Sequence, residues 1–181
     1  LDSVMNNNNH QEIEKIHLYL AGSITLWKEE FLGKYSHLFN TLTELFEPGK
    51  MAVPHDHRKI IAQVALTDSS EIQKSDAVIA FMKPYTVEQH GGPIGTDSSW
   101  ECGFAHGLKK PIIALIDSED QIEYYKHQWM VTYHIDLFIT CDKRLYTLLS
   151  EDMHFTHNEI LLSTIETLEF DIYSYVKNKL K

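Results

Sequence analysis

Short apolar runs alternate along the chain with stretches in which apolar residues recur every three or four positions. The first pattern is typical of buried parallel strands, and the second of helices packed on a sheet. Strands are predicted at residues 16–20, 51–57, 77–82, 111–116 and 135–140. Helices are predicted at 26–46 with an interruption near Gly33, at 60–75, from caps at 95–98 to about 109, and at 119–129 and 158–179. This order of elements predicts an α/β three-layer sandwich with a central parallel sheet.

One stretch, residues 95–116, combines a loop, a helix and a buried strand. Asp97 and Ser98 have the short side-chain oxygens that cap a helix start, and Pro111 ends the helix before the strand. An apolar stripe is predicted on one side of the helix, and small residues for close packing on the sheet are predicted on the other: Trp100, Phe104 and Leu108, then Gly103, Ala105 and Gly107. Glu101 therefore lies in the part of a strand–loop–helix unit where open α/β sheets bind small molecules.

The composition limits the possible functions. A chain of 181 residues with 43% hydrophobic content suits one domain, predicted at residues 15–181, after an Asn-rich leader at 1–14 that is predicted to be disordered. A formal charge of −10 disfavours binding to a nucleic acid polymer. The two cysteines form no disulfide or zinc pattern, and no apolar run is long enough for a membrane span. A small molecule or a protein partner remains, and we expect a cytoplasmic protein with no metal and no cofactor.

Few residues are candidates for chemistry. Tyr19 lies on the first strand, Asp68 on the second predicted helix and Glu101 on the third, and in a doubly wound sheet these converge on one edge. Two carboxylates and a phenol suit the cleavage of an acetal-type bond, because one carboxylate attacks the anomeric carbon while the other handles the proton of the leaving group. Gly22 and Ser23 form the tight turn after the first strand, where a Rossmann-like domain approaches its ligand.

Three segments together resemble the nucleoside 2-deoxyribosyltransferase family and the related 2′-deoxynucleoside 5′-monophosphate N-hydrolases. They are YLAGSI at 19–24, DSSEIQKSDAVIAFM at 68–82 and WECGFAHGLKKPII at 100–113. The resemblance covers about residues 16–116. It implies a flavodoxin-like fold, a homo-oligomer, and small-molecule partners that are a nucleoside or nucleotide and a free nucleobase, as in nucleotide salvage.

The resemblance also implies roles for the candidate residues. Glu101 would attack C1′ and form a glycosyl ester, Tyr19 would hold the Glu101 carboxylate, and Asp68 would bind or protonate the base. Gly22, Ser23, Gly95, Asp97 and Ser98 are the expected substrate-binding residues.

Two departures from the family pattern keep alternatives open. The transferases usually have an aspartate six residues before the nucleophile, where this chain has Gly95, and Asp97 is the nearest substitute. The hydrolases favour a basic residue soon after the first turn, whereas Ile24 follows Ser23 here. The leading expectation is transfer of deoxyribose between bases. The alternatives are hydrolysis of a deoxynucleoside or its 5′-monophosphate, and a sensor domain that binds a nucleotide without turnover.

Overall fold

The computed structural model describes residues 13–22, 30–46, 57–83 and 96–181. Within them, six parallel strands form one sheet in the order β2-β1-β3-β4-β5-β6. The strands are β1 (Ile16–Gly22), β2 (Thr43–Phe46), β3 (Ala77–Phe81), β4 (Ile112–Ile116), β5 (Leu137–Thr140) and β6 (Glu159–Leu162). This parallel sheet with its helices confirms the predicted α/β three-layer, flavodoxin-like or Rossmann-like fold. All but two residues of the predicted leader, 1–14, lie outside the described residues.

Helices connect the strands and cover both faces of the sheet. They are α1 (Leu32–Lys34), α2 (His57–Lys74), α3 (Thr96–Gly107), α4 (Glu119–His127), α5 (Trp129–His134), α6 (Lys143–Glu151) and α7 (Leu168–Lys179), with 3-10 turns at Ser36–Leu38 and Met153–Phe155. None of the helices in the described ranges is long and apolar enough to cross a bilayer.

The side chains of β1 divide between two hydrophobic clusters, because successive residues of a strand point to opposite faces. Tyr19 and Ala21 join a cluster with residues of α2, α3, α4 and α6, while Leu18 and Leu20 join one with Phe31 and residues of α7. Every residue of β3 and β4 is buried, as expected for central strands covered on both faces.

Aspartates at the strand starts link neighbouring strands. Asp76 precedes β3, and its Oδ2 accepts a hydrogen bond from the amide of His17 in β1 at 2.8 Å. Asp136 precedes β5, and its Oδ2 accepts from the amide of Ile112 in β4, also at 2.8 Å. Each carboxylate satisfies a backbone donor at the amino edge of the sheet. A structural role for Asp76 is what its position in the sequence predicts.

The segment after β1 differs from the sequence prediction. The helix predicted at 26–46 is wrong beyond Lys34, because Thr43–Phe46 forms β2 and pairs in parallel with β1. Pairing with a buried strand outweighs the helical spacing of leucines in this segment. Residues 51–56 of the strand predicted at 51–57 lie outside the described residues, and His57 begins α2.

The end of the chain also differs. The helix predicted at 158–179 is wrong in its first half, since Glu159–Leu162 is β6, paired with β5, and only Leu168–Lys179 is helical. The helix Lys143–Glu151 was not predicted, although Asp142 caps it by accepting hydrogen bonds from the amides of Arg144 and Leu145. An apolar run of four residues at a sheet edge cannot be told from a helical turn by spacing alone.

Candidate active site

The candidate residues lie on three elements that meet on one face of the sheet. Tyr19 is in β1, Asp68 in α2 and Glu101 in α3, and the two helices pack against each other and against β1. The chain leaves β1 for β2 on one side and returns to β3 on the other, so the strand order reverses between β1 and β3. Such a switch point is where open α/β sheets form a ligand crevice.

Helix α3 buries a polar face. Ser98, Glu101, Cys102 and Ala105 are buried, at the i, i+3, i+4 and i+7 spacing of one helix face. The prediction that Gly103 and Gly107 pack on the sheet is wrong: both are exposed, and a Cβ at either would meet nothing within 4 Å. The predicted apolar stripe lies on the outside, where the Trp100 ring stacks on Phe104 at 5.1 Å and is 53% exposed. Cys102 is buried in the hydrophobic core.

Tyr19 and Glu101 form the closest contact of the site. The Tyr19 hydroxyl donates a hydrogen bond to Glu101 Oε1 at 2.6 Å, and Tyr19 is fully buried while Glu101 is 8% exposed. The Tyr19 ring stacks on Phe46 of β2, with centroids 5.7 Å apart, so both ends of the side chain are held. Burial, then the Glu101 charge, raise the pKa of Tyr19 far above its usual value, so the phenol remains a donor.

Glu101 is a carboxyl whose charged form is disfavoured. Its pKa is raised to about 8 by the sum of several causes: burial raises it most, the hydrogen bond from Tyr19 lowers it, and the charges of Asp68 and Asp97 raise it. A carboxylate that is poorly solvated and held by one phenol has the properties that nucleophilic attack requires.

Asp68 is a second buried acid with an unused oxygen. It is 9% exposed, and burial followed by the charge of Asp97 raises its pKa to about 6. Its Oδ1 is buried and has no hydrogen-bond partner among the described residues. An unpaired buried oxygen costs about 1–3 kcal/mol, which a ligand bearing an N–H or O–H group recovers. Asp68 therefore offers both a proton and an acceptor to a bound molecule.

The predicted substrate-binding residues are only partly described. Gly22 is the last residue of β1 and pairs in register with Phe81 of β3, at the carboxyl edge next to the switch point. Asp97 is exposed in the first turn of α3, and Ser98 beside it is 5% exposed. Ser23 and Gly95 lie outside the described residues.

Tyr124 is a neighbour of the site that the sequence did not indicate. Its hydroxyl is 3.9 Å from Met82 Sδ and also bonds the side chain of Ser99, two residues before Glu101. The ring is half-buried on α4 and packs against the hydrophobic cluster that contains Tyr19 and Cys102. Tyr124 and Tyr125 are adjacent in the sequence, and their spacing alone does not indicate which of the two lies beside the site.

A second charged group lies at the carboxyl edge, after β3 and β4. Lys83 forms ion pairs with Glu30 and, at 3.0 Å, with Asp117 Oδ1, and the Tyr35 hydroxyl donates to Asp117 Oδ2 at 3.1 Å. The side chains of Lys83 and Asp117 are 13% and 10% exposed. This group joins the segments that follow β1, β3 and β4, and so fixes the edge on which the site lies.

We expect Lys83→Met to lower the free energy of unfolding by about 2–3 kcal/mol, because it removes the closer of the two lysines that pair with Asp117, whose side chain is only 10% exposed. Lys74→Met is the matched control: Lys74 pairs with Glu71 at 2.8 Å, but its side chain is 67% exposed, so the loss should stay below about 0.5 kcal/mol. Urea unfolding of both variants measures the difference. Equal losses would mean that the Lys83 pairs do not stabilise the edge.

Within the described ranges, no group of three or more His, Cys, Asp or Glu residues is placed to hold a metal ion. A cleft with one phenol and two carboxyls of different pKa suits cleavage and re-formation of a glycosidic bond.

A family model described as nucleoside 2-deoxyribosyltransferase matches residues 18–160. The matched stretch is well over half of the chain and includes Tyr19, Asp68 and Glu101. No curated protein matches the chain.

Proposed function

The chain belongs to the nucleoside 2-deoxyribosyltransferase family, and from this we propose that it transfers 2-deoxyribose from one nucleobase to another through an ester on Glu101. The observation that most supports the proposal is the 2.6 Å hydrogen bond from Tyr19 to Glu101 Oε1 inside a buried, acidic cleft. A phenol in this position orients the carboxylate and leaves Oε2 to attack.

In the first half-reaction, Glu101 Oε2 forms a bond to C1′ as the C1′–N bond breaks, and the electron pair of that bond leaves with the base. Asp68 donates a proton to a ring nitrogen of the leaving base, so the base departs uncharged. The carboxylate of Glu101 also stabilises the positive charge that develops on the sugar. The product is a glycosyl ester, with ionised Asp68 beside it.

In the second half-reaction, a ring nitrogen of the incoming base attacks C1′ and the ester C1′–O bond breaks, which regenerates the Glu101 carboxylate. Asp68 accepts the proton that the incoming base loses. The burial of Glu101 supports transfer over hydrolysis, because few water molecules reach an ester on a side chain that is 8% exposed.

Chromatography of product mixtures tests the proposal. A panel of deoxynucleosides and their 5′-monophosphates is incubated with the protein, with and without a second free base. A new nucleoside that forms only with the second base is the expected result. Free base and sugar in equal amounts, regardless of acceptor, would replace transfer with hydrolysis. Binding without any product would instead favour a sensor.

We expect Tyr19→Phe to lower kcat about 10- to 100-fold with little change in KM, since it removes one hydrogen bond to a charged group worth about 1.5–3 kcal/mol. Steady-state kinetics on the best substrate measures the loss. The matched control is Tyr35→Phe, which removes a hydroxyl that donates to a carboxylate, Asp117, outside the cleft. If both variants lose the same activity, or neither does, Tyr19 has no special role in holding Glu101.

A further inference from the structure

A separate cavity of about 220 Å³ lies between α4, α5 and the segment that leads into β6. Its walls include Trp129 and Tyr133, one turn apart on α5, and its polar groups include Lys126, His154, His157 and Asn158. Tyr19, Asp68 and Glu101 are not among the residues that line it. From this cavity we propose a second binding site, for an uncharged, planar nitrogen heteroaromatic of one or two rings, the chemical class of the free nucleobases.

The aromatic walls provide the stacking surface. Trp129 is 74% exposed and Tyr133 is 65% exposed, and both residues line the cavity, so a ring bound there would cover part of each side chain. The Tyr133 ring is held edge-on to the His157 ring, with centroids 5.9 Å apart. A flat ring placed against such side chains gains about 1–3 kcal/mol from stacking, largely independent of which base it is.

The polar groups match the edge of a heteroaromatic ring. The Asn158 amide nitrogen donates to the carbonyls of Thr132 at 2.8 Å and Ile135 at 2.7 Å, which orients the amide and leaves its oxygen as an acceptor. Nδ1 of His154 lies 2.7 Å from Asp152 Oδ1, which leaves Nε2 for a ligand. Because Nδ1–H donates to Asp152, Nε2 of a neutral His154 ring is an acceptor like the Asn158 oxygen, and two acceptors suit a molecule with N–H groups on its edge.

The charges indicate an uncharged ligand. Lys126 lies 2.7 Å from Glu123 Oε1 and 2.9 Å from Asp152 Oδ2, so the ammonium already has two carboxylate partners. An anion would have to compete with both of them, and a cation would meet the ammonium. The volume is below the roughly 300–1,000 Å³ of pockets for drug-sized molecules, which limits the ligand to one or two fused rings.

Equilibrium dialysis with labelled adenine tests the site. We expect the double variant Trp129→Ala, Tyr133→Ala to bind one adenine per chain fewer than the wild-type protein. The control Phe170→Ala removes another exposed aromatic, on α7, and should leave both sites unchanged. The double variant should also keep wild-type kcat/KM at low base concentration, because its change is outside the cleft.

A bromine atom locates the ligand directly. In crystals soaked with 8-bromoadenine, we expect an anomalous peak between the rings of Trp129 and Tyr133, absent from crystals of the double variant. A peak only in the cleft of Glu101, or equal adenine capacity in the wild type and the double variant, would overturn the proposal. So would a change in sedimentation of the double variant with its adenine capacity intact, which would mean that a second copy covers these rings.

Binding of adenine needs no turnover. Failure of the proposed transfer reaction would therefore leave this test readable, and loss of the second site would leave the transfer assay unchanged.

Discussion

Replacing Glu101 with Gln is expected to lower kcat/KM for base exchange by at least about 10³-fold, because an amide cannot form the glycosyl ester. The change keeps the shape of the side chain and an oxygen able to accept from the Tyr19 hydroxyl, so the cleft should stay folded. Substrate affinity, measured by the binding of an unreacted nucleoside, should change far less than the rate. Chromatography over long incubations sets the limit of residual exchange.

Two further results identify the role of Glu101. With the smaller Glu101→Ala variant, added azide or formate can enter the vacated space and attack C1′, so partial recovery of base release is expected. With the wild type, a poor acceptor should allow mass spectrometry of the quenched protein to find a deoxyribosyl group on the peptide that contains Glu101. Full activity of Glu101→Gln, together with no labelled peptide, would remove Glu101 as the nucleophile.

The same variant has a predicted effect on stability. The pKa of Glu101 is raised to about 8 by burial, so the folded protein holds a proton that the unfolded chain releases above its usual pKa of 4.5. The free energy of unfolding should therefore decrease as the pH rises from about 4.5 to about 8. Glu101→Gln cannot ionise, so its stability should exceed that of the wild type above pH 8. Guanidinium unfolding at pH 5 and pH 9 measures this difference.

The central strands of the fold could be predicted because their sequences are short, apolar and fully buried. The segments predicted at 77–82 and 111–116 correspond to β3 and β4, in which every residue is buried. The edge strands were missed for the opposite reason. β2 and β6 are partly exposed, and their strand character comes from pairing with β1 and β5 rather than from their own residues.

The grouping of Tyr19, Asp68 and Glu101 follows from the order of the elements and from the resemblance to the family. The hydrogen bond between Tyr19 and Glu101 was expected from the resemblance, and in the structure the Tyr19 hydroxyl lies 2.6 Å from Glu101 Oε1. Two features could not be predicted: that Asp68 Oδ1 has no hydrogen-bond partner, and that Tyr124 lies beside the site. Each depends on how two helices pack. Spacing within one helix contains no such information.

The second large effect is on the pH dependence of the reaction. Burial raises the pKa of Asp68 to about 6 and that of Glu101 to about 8. Transfer needs Glu101 ionised and Asp68 protonated, so the active state is the pair with one proton. That state predominates between the two values, and kcat/KM should be bell-shaped with limbs near pH 6 and pH 8.

When the pair of Asp68 and Glu101 holds one proton, that proton is mostly on Glu101, whereas transfer needs it on Asp68. The two pKa values differ by 8 − 6 = 2, so on the order of one molecule in a hundred has it on Asp68. A bound base whose ring nitrogen accepts a hydrogen bond from protonated Asp68 favours the neutral acid and shifts this balance toward the active form. The limbs belong to the pair, and variants are needed to assign them.

Asp68→Asn makes that assignment, and should lower kcat by about 10²- to 10⁴-fold because the leaving base receives no proton. The variant keeps only one titrating group, Glu101, whose pKa falls because the Asp68 charge no longer raises it. Activity should then rise once with pH and stay high, without the decline near pH 8. Glu71→Gln, a carboxyl change on the same helix, should keep the bell. A bell that survives Asp68→Asn would place the proton donor elsewhere.

The leaving group gives the strongest test of proton donation. A deoxyriboside of a nitrophenol leaves as a stable anion and needs no proton, so Asp68→Asn should cleave it almost as fast as the wild type does. With a nucleoside as donor, the same variant should lose the full effect. A loss that is equal for both substrates would mean that Asp68 acts by position or charge, because only proton donation depends on the basicity of the departing atom.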